Sequence, residues 1–586
     1  MVKAVVISSL ISSLIGLSGA NLFAYKNIRA KRNGGHHDHP VNIVEQMLDA
    51  AGATPRKESA ASTHFYDAAV KDHFTTSIAT QKEPKWSQRY YVDTSFWKGE
   101  GSPVFLYIGG EGPQSAPSSR LFMWALAEEH GALMLSLEHR YYGESYPVED
   151  MSDENLVFLT SAQALADVAR FVTYINSYDP SSADESSSPA LELPASTASS
   201  KWVAFGGSYP GNLATRLKLK YPALVEGVVG SSAPVFAQYD YVQYAGVVGD
   251  ALAYELIGGS SACASTVGAA TKALNDLVTS TTPYGTSAQI PEILRPCSPM
   301  DNDLDLSTYQ AELFGNFQGA VQYNDMGTSP RVTDLCAAMA AASEKDGATP
   351  LDAFAAATAL FYNESASFAD RCIAANFQED YVAPFLANTN FSGIGCNLTC
   401  TSSRQWIYQS CNEFGYFQTT VASSDYDAAS LPPSQVANPF SSFSALDVTN
   451  AGEAVCDAAF QLAEKGLTPY TGPKKNDKGP LANTDYGARH VEGLNITMPN
   501  GSMDPWHALS VVNGTDPFYE SGSSQETTPG VTIVEIDGTA HCRDMYAPGT
   551  FEDVGIPDTS SVQWGHAVIA QNVAEYIGAS TSKNKK

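Results

Sequence analysis

Positive charge is what this sequence has least of. Among its 586 residues, 34 Lys and Arg stand against 63 Asp and Glu, a formal charge of -29. Such a surface repels the phosphates of nucleic acids and anionic membranes, which excludes both as partners. Beyond the first residues there is no apolar run long enough to cross a bilayer. No internal repeat is apparent, so a solenoid or other repeat array is excluded. Cysteines number only nine, an odd count that leaves at least one thiol unpaired if all bridges are intramolecular. Eight of them lie between Cys263 and Cys456, and Cys542 stands apart as the candidate free thiol.

What is present starts with Met1-Val-Lys3, an apolar run from Ala4 to Gly19, and Ser18-Gly19-Ala20. This reads as a secretory signal peptide over residues 1–20, so no membrane insertion is expected after its removal. Residues 21–60 read as a pro-segment or a disordered N-terminal region. Arg29-Ala-Lys-Arg32 is a dibasic stretch of the kind that processing proteases cut, and His36, His37 and His39 belong to a polar tract rather than a metal site. Six Asn-x-Ser/Thr sequons, at Asn363, Asn390, Asn397, Asn495, Asn500 and Asn513, agree with a secreted or lysosomal/vacuolar glycoprotein. The acidic balance suits an acidic compartment.

Hydrophobic content of 44% is ample for a core. Strands and helices alternate from Val70 onward: Gln88–Asp93, Pro103–Ile108 and Ala132–Leu137 have strand composition, while Leu121–His130 and Ala162–Tyr174 have helical composition. That order indicates a mostly parallel sheet with helices on both faces. The Ser-, Ala- and Pro-rich stretch 181–200 reads as an exposed loop. From 236 to 489 alanine-rich helical stretches and most cysteines indicate a large, mainly helical, disulfide-bearing cap insertion between two parts of a core, 61–235 and 490–580. Its most aromatic stretch, Trp406–Gln418, either faces the site or packs within the cap.

The chemistry centres on Trp202-Val-Ala-Phe205-Gly-Gly-Ser208-Tyr-Pro-Gly-Asn212. Strand, tight turn with serine at its apex, then helix: this is the nucleophile elbow of an α/β-hydrolase. The usual pattern is G-x-S-x-G, and here Pro210 occupies the last place with Gly211 one further on, so the motif is imperfect. A loop without catalytic meaning shares this composition. On this fold a triad runs Ser, Asp or Glu, then His along the chain, each after a strand, and Ser208, Asp504 and His541 come in that order. His541 would take the Ser208 proton, and Asp504 would fix the imidazole. Asp537 and Asp544 are rivals of Asp504, while His139 and His507 read as structural. Backbone N–H groups of Tyr209 and of the Gly109–Gly112 loop, at Gly110 or Glu111, would form the oxyanion hole.

Several ordered motifs add a resemblance: Asp72-His-Phe74, Gln88-Arg-Tyr-Tyr91, Tyr107-Ile-Gly-Gly-Glu-Gly112, Glu138-His-Arg-Tyr-Tyr-Gly-Glu-Ser145, Gly206-Gly-Ser-Tyr209, Ser231-Ser-Ala-Pro234, Gln409-Ser-Cys-Asn-Glu-Phe-Gly415, Asn500-Gly-Ser-Met-Asp-Pro-Trp506 and Gly538-Thr-Ala-His541. Together they resemble the serine peptidase family of lysosomal Pro-Xaa carboxypeptidase, dipeptidyl peptidase II and thymus-specific serine protease. The resemblance implies a serine peptidase that cleaves proline-containing peptides after proline, favoured at acid pH, with no metal and no organic cofactor. It carries Ser208, Asp504 and His541 over as the triad, Trp506 as a wall of the proline pocket, and a Cys411–Cys456 disulfide. Asn212 stands where a pocket methionine is common, which alters the substrate-binding surface. Exo- or endopeptidase action and oligomeric state, a homodimer included, stay open. An esterase or lipase on the same fold, and a non-catalytic hydrolase-like binding protein, are the competing readings.

Overall fold

The computed structural model describes residues 60–74, 85–179, 193–326, 330–362, 371–386, 399–424, 431–460, 481–519 and 530–579. The strands are β1 (Ser62–Val70), β2 (Lys85–Asp93), β3 (Val104–Ile108), β4 (Leu133–Leu137), β5 (Trp202–Gly207), β6 (Gly227–Ser231), β7 (Gln238–Asp240), β8 (Gly415–Phe417), β9 (Ile496–Gly501) and β10 (Val531–Ile536). The longer helices are α1 (Phe122–His130), α2 (Ser161–Ser177), α3 (Tyr209–Lys220), α4 (Gln243–Ala253), α5 (Ser261–Thr279), α6 (Asp303–Gln322), α7 (Val332–Ser343), α8 (Pro350–Ala359), α9 (Thr399–Gln409) and α10 (Ser560–Tyr576).

Eight strands form one sheet in the order β1-β2-β4-β3-β5-β6-β9-β10. β1 and β2 pair antiparallel with each other and β2 antiparallel with β4, while the remaining neighbours are parallel. The central strands β3, β4 and β5 read as largely apolar runs because both faces of a parallel sheet are covered. The period of two still sorts them. Val104, Leu106, Leu133, Leu135, Trp202 and Ala204 join the large core, whereas Phe105, Met134, Val203 and Phe205 point the other way, onto α1 and α10. The large core continues without a break into the insertion through residues such as Tyr244, Phe314, Phe317 and Phe414. This is the α/β-hydrolase architecture expected from the sequence, with a mainly helical insertion following β6.

Element boundaries fall where local chemistry interrupts a pattern. β1 ends at Val70, because Asp72 turns the chain by accepting the Phe74 N–H at 3.0 Å. His73 is pinned there to Asp167 at 2.7 Å. β9 starts at Ile496 and not earlier, since Asn495 has a left-handed φ of 63°. The 20-residue helix α6 was not legible as a helix in the sequence. The residues 181–192 of the expected exposed loop, the signal and pro-segments up to residue 59, and Asn363, Asn390 and Asn397 lie outside the described residues.

Among the described residues three disulfides staple the insertion: Cys263–Cys336, Cys297–Cys372 and Cys411–Cys456. Among the described residues Cys542 is the free cysteine. A non-reducing peptide map is expected to recover Cys411 linked to Cys456, and Cys542 as the alkylated thiol. A bridge from Cys542 to any other cysteine overturns that assignment.

Candidate active site

Ser208 stands at the tip of β5, half-exposed, with φ 62° and ψ -132°. A non-glycine residue enters this region only under constraint, at a cost of about 1–3 kcal/mol. Its N–H donates to the Ser231 carbonyl at 2.9 Å, and its carbonyl accepts from Asn212 N at 3.2 Å as α3 begins. The turn is so tight that a Cβ on Gly206 would collide with the Pro210 carbonyl, and one on Gly211 would lie 2.7 Å from the Ser231 oxygen. Gly211 therefore supplies the close approach that the usual motif gives to the residue before it. Pro210 sits in the first turn of α3, where its missing N–H costs nothing. Its ring occupies the space a Cβ on Gly110 would need, so elbow and Gly109–Gly112 loop interlock.

Asp504 and His541 follow β9 and β10, and both are buried. Asp504 Oδ2 accepts from His541 Nδ1 at 2.9 Å, and Asp504 Oδ1 accepts from the Trp506 N–H at 2.9 Å. Burial disfavours the charged imidazole, but the Asp504 carboxylate and, after it, the Cys542 sulfur outweigh it and hold His541 well above the ordinary histidine range. The rivals are engaged elsewhere: Asp544 accepts from Ser231 Oγ at 2.5 Å, and Asp537 from Tyr254 OH at 2.8 Å. His507 is held by the Asp504 carbonyl at 2.5 Å and by Asp516 at 3.4 Å, away from His541. The histidine loop lies on the elbow, because a Cβ on Gly207 would meet Cys542 Sγ at 3.0 Å.

Behind the elbow, Tyr209 is locked by a polar chain from sheet to cap. His139 Nδ1 donates to the Arg140 carbonyl at 2.7 Å, so its Nε2 accepts from Tyr209 OH at 3.0 Å. Burial lowers His139 to about 4, which keeps that ring neutral. Gln409 Nε2 donates to the same hydroxyl at 3.0 Å, and Tyr142 OH donates to Gln409 Oε1 at 2.5 Å. Of the oxyanion candidates, Glu111 is half-buried, and burial pushes its carboxyl up despite a bond from its own backbone N–H and the nearby His541.

Trp506 is 3% exposed and stands among Tyr241, Tyr244 and Tyr416, with ring centroids 5.5, 5.7 and 5.4 Å away. His541 lies 6.4 Å from it. The aromatic stretch Trp406–Gln418 thus serves both alternatives: Trp406 and Phe414 pack on Tyr209, and Tyr416 packs on Trp506. Asn212 is fully buried, its Nδ2 donating to the Pro234 carbonyl at 3.0 Å and to Tyr416 OH at 3.3 Å. The sequon at Asn500 is corrected. Its side chain is 1% exposed in β9 and donates to the Val511 carbonyl at 3.0 Å, which leaves no room for a glycan. Asn495 and Asn513 are half-buried, with amides bonded to the Glu226 carbonyl and to Glu535. Sequence reading missed Tyr241, Tyr244, Gln322, Tyr323 and Asp325. The dense tyrosines of 239–244 were the one signal available. Among the described residues no group of three or more His, Cys, Asp or Glu is placed to hold a metal ion, and no helix is long and apolar enough to cross a membrane.

A sheet of this order with a strained serine after β5 and an Asp–His pair after its last two strands defines a serine hydrolase of the α/β class. The family model of serine carboxypeptidase S28 matches residues 70–444 and 468–556. The chain belongs to that family and is a serine-type peptidase. It is 32% identical to mouse thymus-specific serine protease over 84% of this chain and 83% of that protein. It is 25% identical to bovine lysosomal Pro-X carboxypeptidase over 84% of each chain. A solved structure of proline iminopeptidase from Mycobacterium smegmatis covers 84% of this chain and 96% of its own at 12% identity and a TM-score of 0.33. The fold assignment rests instead on the strand order and the elbow.

Buried carboxyls give the molecule a pH signature. Burial raises Asp240 and Glu413 to about 7 and Asp544 to about 6. Their unfolded values lie near 4, so between about pH 4 and about pH 7 the folded state binds more protons than the unfolded one. Stability from these groups is full below the unfolded value and is lost as pH rises through the folded one. His507 and His541, both raised, act with the same sign. His139 opposes them as pH falls from about 6.5 towards about 4. The unfolding midpoint is expected to be higher near about pH 5.5 than near about pH 8, with Glu413→Gln flattening the difference. A midpoint equal or higher on the alkaline side contradicts this.

Proposed function

We propose that the protein is a secreted or lysosomal/vacuolar peptidase that hydrolyses peptides after proline through Ser208, His541 and Asp504. The observation that carries this reading is the Asp504–His541 bond of 2.9 Å, on a loop packed against the elbow that strains Ser208 to φ 62°. Ser208 Oγ attacks the scissile carbonyl while His541 Nε2 takes its proton. The tetrahedral oxyanion is met by the Tyr209 N–H and by an N–H of the Gly110–Glu111 loop. Collapse expels the amine, which leaves with the proton held by His541, and water then hydrolyses the acyl-enzyme by the same route. The bovine relative's name, a lysosomal Pro-X carboxypeptidase, supports both cleavage next to proline and the location. The substrate is a proline-containing peptide, and no metal or organic cofactor enters the reaction as proposed. The surface of formal charge -29 supports a role away from nucleic acid and anionic membranes.

Ser208→Ala is expected to fold and to lose activity by on the order of 10⁴-fold or more, together with all labelling by a fluorophosphonate probe. A variant that keeps a tenth of wild-type turnover removes Ser208 from the mechanism.

Proline has a fixed φ and no N–H, so its pocket is short, apolar and flat-walled. The Trp506 indole, ringed by three tyrosines beside His541, suits the pyrrolidine face. Trp506→Ala is expected to lower kcat/KM for prolyl peptides more than for alanyl ones, by about 1–3 kcal/mol. Equal losses on both substrates with a lowered melting temperature assign Trp506 to packing alone.

A further inference from the structure

We propose that Gln322, the last residue of α6, is a positioning residue through which the cap sets the geometry of His541. The proposal rests on the reading of Ser208, Asp504 and His541 as the triad.

Gln322 is 2% exposed, and a buried amide must find partners. Those it finds all belong to the site. Its Oε1 accepts from Trp506 Nε1 at 3.1 Å and from Tyr244 OH at 2.5 Å. Its Nε2 donates to Tyr323 OH, and its backbone carbonyl accepts from the His541 N–H at 3.1 Å. The Tyr323 ring stands edge-on to the imidazole, with centroids 6.4 Å apart and planes at 87°, and the Trp506 ring is also 6.4 Å away. One amide therefore ties down both aromatic rings that neighbour His541. Asp325 extends the clamp by accepting the Ala540 N–H at 3.2 and 3.1 Å. The core contributes Asp504 at Nδ1 and Ser232 Oγ on the Cys542 N–H at 2.9 Å. Two backbone N–H groups of the histidine loop, at Ala540 and His541, are thus held by one short cap segment, 322–325.

Asp504 restrains the imidazole at Nδ1, and the Cys542 thiol of the next residue is the other side chain bonded to it. The rings of Tyr323 and Trp506 oppose tilting of the imidazole, and Gln322 fixes how far each can move. Proton transfer from Ser208 depends on this placement, and a shift on the scale of 1 Å costs on the order of 10²-fold.

The test is Gln322→Met, which keeps length and apolar bulk and removes the amide's hydrogen bonds, beside Gln322→Glu, which keeps an acceptor for Trp506 and Tyr244. Rates are taken per site titrated with a fluorophosphonate, so a misfolded fraction does not count. For the Met variant kcat is expected to fall about 10- to 100-fold on prolyl and alanyl peptides alike, with KM within about threefold. Its fluorophosphonate labelling rate falls in parallel, because that reaction needs His541 but not the proline pocket. The Glu variant recovers most of both rates. A folded Met variant with wild-type labelling and kcat, or a loss confined to KM, overturns the proposal. So does a Glu variant no better than Met. Should the Met variant not fold, Tyr323→Phe decides in its place, since a labelling rate equal to wild type would sink the role of the clamp. Wild-type protein that takes no label at Ser208 instead removes the triad reading itself.

Discussion

The backbone of Ser208, held at φ 62° and ψ -132°, constrains everything around it. A turn of this kind stores strain of about 1–3 kcal/mol and persists only where its surroundings over-determine it. β5 does this by lying between β3 and β6, with the Ser208 N–H fixed to the Ser231 carbonyl. The narrowness of the turn then dictates its neighbours: Gly206 and Gly211 where backbones nearly touch, and Gly110 where the Pro210 ring lies. What looked in the sequence like a defect, proline in the last place of the motif, is accommodated by a shift of the glycine by one position. Pro210 fits the first turn of α3 and also props the loop that carries Gly110 and Glu111.

The parts of the molecule that were legible in the sequence are those whose chemistry is local. Val104–Ile108 and Leu133–Leu137 are almost wholly apolar, Ser136 excepted, because both faces of the sheet are covered at these strands. The elbow, and Asp504 and His541 just after their strands, carry their own punctuation. α6 was illegible for the opposite reason. It buries Ser307, Thr308, Gln310, Asn316, Gln318 and Gln322 beside its apolar residues, so no polar face marks its period. The polar positions are where it bonds to other segments. Gln310 takes the Ala445 N–H, Gln318 donates to Gln418, and Gln322 reaches Trp506. A contact between residues nearly two hundred positions apart leaves no trace in a window of ten. The Asn500 sequon failed on the same ground, since its tripeptide pattern is local while its burial follows from the place of β9 inside the sheet.

The scarcity of cations sharpens the electrostatics. Arg89, Arg140, Arg404 and Arg543 lie buried in ion pairs with Glu138, Asp167, Asp153 and Asp558, so they do nothing to balance the acidic surface. Such pairs add little net stability against an apolar alternative, but removing one partner strands a charge in the interior. Carboxyls with no ion-pair partner, such as Asp240 and Asp544, are instead kept largely neutral by burial up to about 7 and about 6. Both features favour a more acidic medium. There the surface carboxylates repel one another less, and the buried ones need not ionise.

The cap follows from the same geometry. An insertion that leaves the sheet after β6 starts beside the strand tips that present Ser208 and Asp504, and it must cross to the opposite end of the strands to enter the parallel strand β9. It borders the site through Gln322, Asp325 and Tyr416, and it shares the sheet's hydrophobic core rather than forming one of its own. β7 and β8 pair across it, Glu413 reaches the N-terminus of α2 to accept the Ser161 N–H at 2.9 Å, and Gln409 holds Tyr209. A hydrolase core cut free of this insertion would therefore expose apolar surface and leave Ser161, Tyr209, Ala540 and His541 short of partners. The lone N–H groups alone would each cost about 1–3 kcal/mol where they stay buried. In this chain the cap is part of the machinery that keeps the serine turn and the histidine loop in register, and its covering of the strand tips is a consequence of that packing.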